Sequence, residues 1–96
     1  MKIGDYVLVT TEYRGVFAGE LVARDDAKRT MSLDGARCAI YWSADVGGVL
    51  GLAESGPSSS CRIGATADVD LFGVTSVSPV TRGAERLWRA ASVVGR

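Results

Sequence analysis

Arg37, Ala39 and Tyr41 stand two residues apart in the run ARCAIYW, residues 36 to 42. In an extended chain, residues two apart project from one face. That spacing sets a guanidinium and a phenol side by side with a methyl-sized gap between them. A flat base can stack on the phenol while the guanidinium takes a phosphate through paired N–H bonds. The same spacing also describes an arginine lying along a solvent-facing sheet, its stem covered by Tyr41. Ala36, Cys38, Ile40 and Trp42 fall on the opposite face and are expected in the core.

Two further groups could join that chemistry. YRGVFAGE, residues 13 to 20, combines Tyr13, Arg14 and Phe17 with Gly15 and Gly19, and glycines let a ligand approach the backbone. The plainer reading is a turn leading into an aromatic core residue. Near the C-terminus, Arg82, Arg86 and Arg89 recur at i, i+4, i+7, opposite an apolar stripe of Ala84, Leu87, Trp88 and Ala91. Three aligned guanidiniums can close on an anion, or simply form a solvated helix face. Nine of the 11 basic residues are Arg, which suits bidentate anion recognition and equally suits codon bias.

Most catalytic chemistry finds no footing. The chain has no His, which removes His-based proton transfer and His metal ligation. Neither a P-loop nor a dinucleotide fingerprint occurs. Asp25 and Asp26 read as a solvated turn. Asp68 and Asp70 share a face if extended, which leaves a weak cation site open. Cys38 and Cys61 form no C-x-x-C pair and read as small buried thiols in a reducing cytoplasm. A net charge of +0 disfavours a nucleic-acid polymer as partner. No cofactor or metal is expected, and neither a signal peptide nor a membrane span is recognised.

The elements that must position these residues follow from local pattern. The 96 residues suffice for a single domain, 1–96, with a modest core, which favours oligomerisation. Strands are expected at 6–10, 16–24 and 29–33. Asp34-Gly35 is the strongest hairpin signal and would join the third strand to ARCAIYW. Ser43 offers an N-cap to a short helix through Val46, Val49, Leu50 and Ala53, weakened by Gly47, Gly48 and Gly51. SGPSSS, 55–60, is expected to be the mobile loop. Short strands follow at 61–65 and 69–77, ended by Pro79, and Thr81 caps a final helix. The fold class is α+β: an antiparallel sheet of five or six strands, a short middle helix and an amphipathic C-terminal helix.

This order of parts resembles a phage family, the first type of Thoeris anti-defence sponge. The resemblance spans residues 6 to 92. It rests on an aromatic-x-x-Gly-Val-x-x-Gly turn, matched by Tyr13, Val16 and Gly19 with Gly15 one place early. It rests also on an Asp-Ala-Arg-Arg stretch running into Tyr-Trp-Ser, matched by Ala36, Arg37, Tyr41, Trp42 and Ser43. Cys38 replaces the second arginine and Gly35 interrupts the Asp-Ala pair. The resemblance implies a non-enzymatic protein of the infected host's cytoplasm that sequesters cyclic ADP-ribose isomers, with cyclic oligonucleotides as a second ligand class. It also implies a homo-oligomer, dimer or hexamer, with pockets shared between protomers. On this reading Arg14 and Arg37 take the pyrophosphate, Phe17 and Tyr41 stack, and Arg86 or Arg89 closes the pocket from a partner. The rival readings are a small structural or interaction module of a phage particle and a single-strand nucleic-acid binder.

Overall fold

The computed structural model describes residues 1–93. It is an α+β fold with one six-stranded antiparallel sheet and two α-helices, one short and central, one C-terminal. Strands β1 (Tyr6–Thr11), β2 (Val16–Asp25) and β3 (Thr30–Tyr41) run as a meander. The far edge of β3 is shared: its first half pairs with β5 (Ala67–Phe72) and its end with the two-residue β4 (Arg62–Ile63). β6 (Val74–Pro79) pairs with the other side of β1. Helix α1 (Gly48–Glu54) follows β3, and α2 (Arg82–Ala90) follows β6.

β1 is buried on both faces because each face has its own core. Tyr6, Leu8, Val16, Ala18 and Ala39 face Leu52, Ala53, Ala84 and Trp88 from the two helices. Val7, Val9, Leu21, Met31, Leu33, Ala36 and Leu71 form the other cluster, joined by Val69, Val74 and Val77. That second cluster draws on β5 and β6 at opposite edges of the sheet, so the sheet curls into a partly closed barrel around it. Gly73 alone separates β5 from β6, with φ +67°, a value that favours glycine. The corner is held where Glu12 N–H donates to Gly73 O at 2.9 Å and Val74 N–H to Arg29 O at 3.0 Å.

Several local expectations hold. Thr81 caps α2, its Oγ1 accepting from Ala84 N–H at 3.1 Å, and Ala84 and Trp88 are buried beneath it. Trp88 also donates from Nε1 to Leu52 O at 2.9 Å, which joins the helices. Others are corrected. Asp34-Gly35 does not reverse the chain: β3 runs through it as a bulge, with Gly35 at φ +58° and its N–H donating to Asp68 Oδ1 at 2.9 Å. Positive φ serves a bulge as well as a hairpin, and here the distant carboxylate satisfies the freed N–H. The 69–77 run is broken at Gly73. Gly56 and Pro57, within the loop expected to be mobile, are buried. A Cβ on Gly56 would lie 3.0 Å from Ala84 Cα, so that loop packs directly on α2.

The glycine-rich segment before α1 also has a physical reason. Gly47 and Gly48 take φ of +84° and +78° to turn a short 3-10 turn, Ala44–Val46, into α1. Ser43 precedes that turn, but its hydroxyl bonds the Asp45 carboxylate rather than capping the backbone.

Candidate functional site

The structure separates the two residues on which the sequence-based site was centred. Arg37 is only 3% exposed and faces the helices, in register with Ala18 and Leu8. Its Nε and Nη2 donate to Gly64 O at 2.9 and 2.8 Å, and Nη1 donates to Trp88 O at 2.9 Å and to Ala91 O. Trp88 and Ala91 carbonyls lie at the C-terminal end of α2, where helical partners run out and positive charge suits the dipole. Arg37 is therefore a brace between strand and helix, and its guanidinium is not presented to a phosphate. The expected partition of ARCAIYW fails for the same reason: the sheet is covered on both sides, so Ala36, Arg37 and Ala39 are all buried.

Tyr41 leaves that face through a second bulge. Ala39 pairs with Ile63 and Tyr41 with Arg62, with a register shift between them. Ile63 and Arg62 are adjacent, so they face opposite ways, and Tyr41 goes with Arg62 rather than with Ala39. Half-exposed Tyr41 then lines a surface cleft of about 350 Å³ together with Arg14, Ala39, Ile40 and Trp42. Arg14 and Tyr41 thus meet as expected. Phe17 does not join them; it pairs with Cys38 and packs against the barrel interior. Arg86 and Arg89 are exposed on α2 and do not line the cleft of their own chain; the role expected of them was to close the pocket of a partner. Arg89 is committed elsewhere, to Glu85 at 2.8 Å and over the Tyr6 ring at 4.8 Å.

A tight loop delivers Arg14. Thr11 N–H donates to Gly15 O at 2.9 Å, closing residues 11 to 15. A Cβ at Gly15 would lie 2.2 Å from Thr11 Oγ1 and 2.9 Å from Phe17 Cε1, so any larger residue would force a neighbour to shift. Within the loop, Tyr13 and Arg14 hold φ of +62° and +66°. Such a conformation costs an L-residue roughly 1–2 kcal/mol, and strain of this kind concentrates at functional sites. The loop leaves Tyr13 99% exposed.

The part of the cleft formed by Trp42 is firmer. Trp42 packs against the helix-side core while one surface faces the cleft, so it serves both roles. Among the described residues, Arg24, Arg29 and Arg89 have carboxylate partners, whereas Arg14 and Arg62 have none. Sequence reasoning missed Ile40, assigned to the core, and Arg62, which had no local signal. Arg62 is identified only by its pairing with Tyr41 across the sheet.

The other chemistry-bearing groups are otherwise occupied. Asp68 receives the Gly35 N–H, and Asp70 Oδ1 accepts from Ser32 Oγ at 2.6 Å. Among the described residues no group of three or more His, Cys, Asp or Glu side chains is placed to hold a metal ion. Both cysteines are free and half-buried. Burial pushes the Cys38 thiol up. Burial pushes Cys61 up as well, but hydrogen bonds from Ser43 and Ser58 outweigh it and bring that thiol below its ordinary value. No helix among the described residues is long and apolar enough to cross a membrane.

Comparison with curated proteins and with solved structures returns no match. The family model described as Domain of unknown function (DUF6948) matches residues 4–88, from the start of the barrel to Trp88 in α2. That span holds all six strands and every cleft residue, and the chain belongs to the DUF6948 family.

Proposed function

We propose that the protein is a non-catalytic binding module that takes a nucleotide-like ligand in the Arg14–Tyr41–Trp42 cleft. The observation that carries this reading is the meeting, in one cleft, of a guanidinium without a carboxylate partner among the described residues, a half-exposed phenol and a fixed indole. The rings offer stacking surface and Arg14 offers a bidentate phosphate contact. With the sponge resemblance, the ligand is a cyclic ADP-ribose isomer held unaltered in the cytoplasm, with cyclic oligonucleotides as the second ligand class. A cleft of about 350 Å³ lies at the small end for ligand sites, which bury most of their occupant. A second copy of the chain laid over exposed Ile40 and Tyr41 would enclose the rest of the ligand.

The test is a thermal-shift series with cyclic ADP-ribose isomers, a cyclic dinucleotide and a short single-stranded oligonucleotide, followed by mass analysis of ligand released on heating. A ligand at 100 times its Kd stabilises the protein by about 2.7 kcal/mol. A shift with the cyclic compounds and recovery of intact ligand support the reading. A shift only with the oligonucleotide, collapsing as salt rises, would point to a single-strand binder. Silence with every compound would reject the nucleotide reading.

A second reading is an interaction module for a protein partner. Large apolar side chains stand exposed at Tyr13, Leu50 and Phe72, and that observation favours it. Light scattering of the isolated chain separates self-association from a free monomer.

A further inference from the structure

We infer that Arg62 is a ligand-contacting residue of the same site, and that it sets a preference for a ring flanked by two anionic groups over one bearing a single phosphate. This rests on the nucleotide reading above. Tyr41 and Arg62 are direct cross-strand partners, so they occupy the same side of the sheet. Residues paired this way have Cβ atoms about 4.5–5.5 Å apart, within reach of one small ligand. The bulge at Ile40 makes that pairing: without it, Tyr41 would share the inward face of Ala39 and Arg62 would have no aromatic neighbour there.

Arg62 is exposed, and no carboxylate among the described residues pairs with it. Arg14 lines the same cleft as Tyr41 and is unpaired in the same sense. Tyr41 thus has an arginine from each of two elements beside it: Arg14 of the 11–15 loop, which lines the cleft with it, and Arg62 of β4, its cross-strand partner just outside the cleft lining. A monophosphate engages one of them. A ligand with anionic groups on two sides of its ring engages both, and each charge-assisted contact adds to binding. The short β4 presents Arg62 from a hydrogen-bonded strand rather than from a loose loop, which lowers the ordering cost of the contact.

The experiment is calorimetric titration of the full chain with adenosine, adenosine 5′-monophosphate and adenosine 3′,5′-bisphosphate, on the wild type and on Arg62→Gln. Because Arg62 is exposed, the variant is expected to keep the wild-type circular dichroism and Tm. The wild type is expected to bind the bisphosphate about 10- to 100-fold more tightly than the monophosphate. Arg62→Gln is expected to remove that advantage and leave monophosphate affinity within twofold. Equal binding of the two phosphates by the wild type, or an advantage that survives in the variant, overturns the role of Arg62 and leaves the cleft a nucleotide site. Failure of all three compounds to bind the wild type overturns the role of Arg62, while the nucleotide reading itself is decided by the cyclic compounds of the thermal-shift series.

Discussion

Arg37 donates from Nη1 to the carbonyl oxygen of Trp88 at 2.9 Å, tying the middle of β3 to the last turn of α2. The same guanidinium holds Gly64 O, so one buried cation joins a strand, a helix end and the segment after β4. Arg37→Met would strand three acceptors, Trp88 O buried and Gly64 O and Ala91 O partly buried, while relieving the desolvation of the charge. Each unpaired acceptor costs about 1–3 kcal/mol, and the expected net loss is about 3 kcal/mol. Urea denaturation checks it. Arg37→Lys, which keeps the charge but reaches fewer carbonyls, is expected to fall between, with ligand affinity per folded molecule unchanged.

Tyr6 predicts an alkaline limb in stability. Burial pushes its phenol from 10.0 up to about 12, with nearby Arg89 pulling down and Glu85 pushing up. Below pH 10 the phenol is protonated in both states and its contribution is complete. Between pH 10 and 12 the unfolded chain releases the proton and the folded chain keeps it, so stability falls as pH rises. The slope is about 1.4 kcal/mol per pH unit, or roughly 2–3 kcal/mol over the window. Among the described residues the Tyr6 hydroxyl has no hydrogen-bond partner. Tyr6→Phe is therefore expected to match or exceed wild-type stability at pH 7 and to flatten this limb. Denaturation midpoints at pH 7, 10 and 11.5 compare the two.

Tyr13 is held at φ +62° and packs on nothing, being 99% exposed. Tyr13→Gly removes the left-handed strain without opening a cavity. The expected gain is about 1 kcal/mol, or roughly 4–8 °C in Tm for a domain of this size. Scanning calorimetry reads it, and an unchanged or lower Tm would mean that the loop carries no such strain.

Gly15→Ala is expected to act in the opposite sense. Its Cβ would lie 2.2 Å from Thr11 Oγ1, so the 11–15 loop must open or Thr11 must move. The expected cost is about 1–3 kcal/mol, together with lower ligand affinity as Arg14 loses its fixed position. Paired denaturation and titration measure both effects.

Trp42 supplies an internal reporter. It lines the cleft, whereas Trp88 is fully buried beneath α2. Ligand entry is expected to change tryptophan emission in the wild type and not in Trp42→Phe. A response that persists in Trp42→Phe would place the ligand away from this cleft.

The fold was far more legible than the site. β1 and β2 follow from β-branched and aromatic runs, and α2 from its Thr81 cap and its Ala84–Trp88 spacing. Asp34-Gly35 misled because the signal it carries, tolerance of positive φ, does not distinguish a hairpin from a bulge. Asp68, 33 residues away in the chain, made it a bulge. At the site, Arg14 and Tyr41 were legible as exposed cation and ring. Arg37 was not legible as a brace, since burying an arginine depends on carbonyls contributed by Gly64, Trp88 and Ala91.

Local pattern alone was sufficient for the α+β class, the turn at Gly15 and the capped final helix, because propensity, periodicity and capping act over a few neighbouring residues. Which way each side chain of β3 points was beyond its reach. Alternation predicts one face for Arg37, Ala39 and Tyr41, but a bulge costs only one unpaired residue and reverses everything after it. Whether that cost is met depends on distant partners: Ile63 and Arg62 across the sheet, and the end of α2 above it. Contacts between residues far apart in sequence turned Arg37 inward and left Tyr41 at the rim of the cleft.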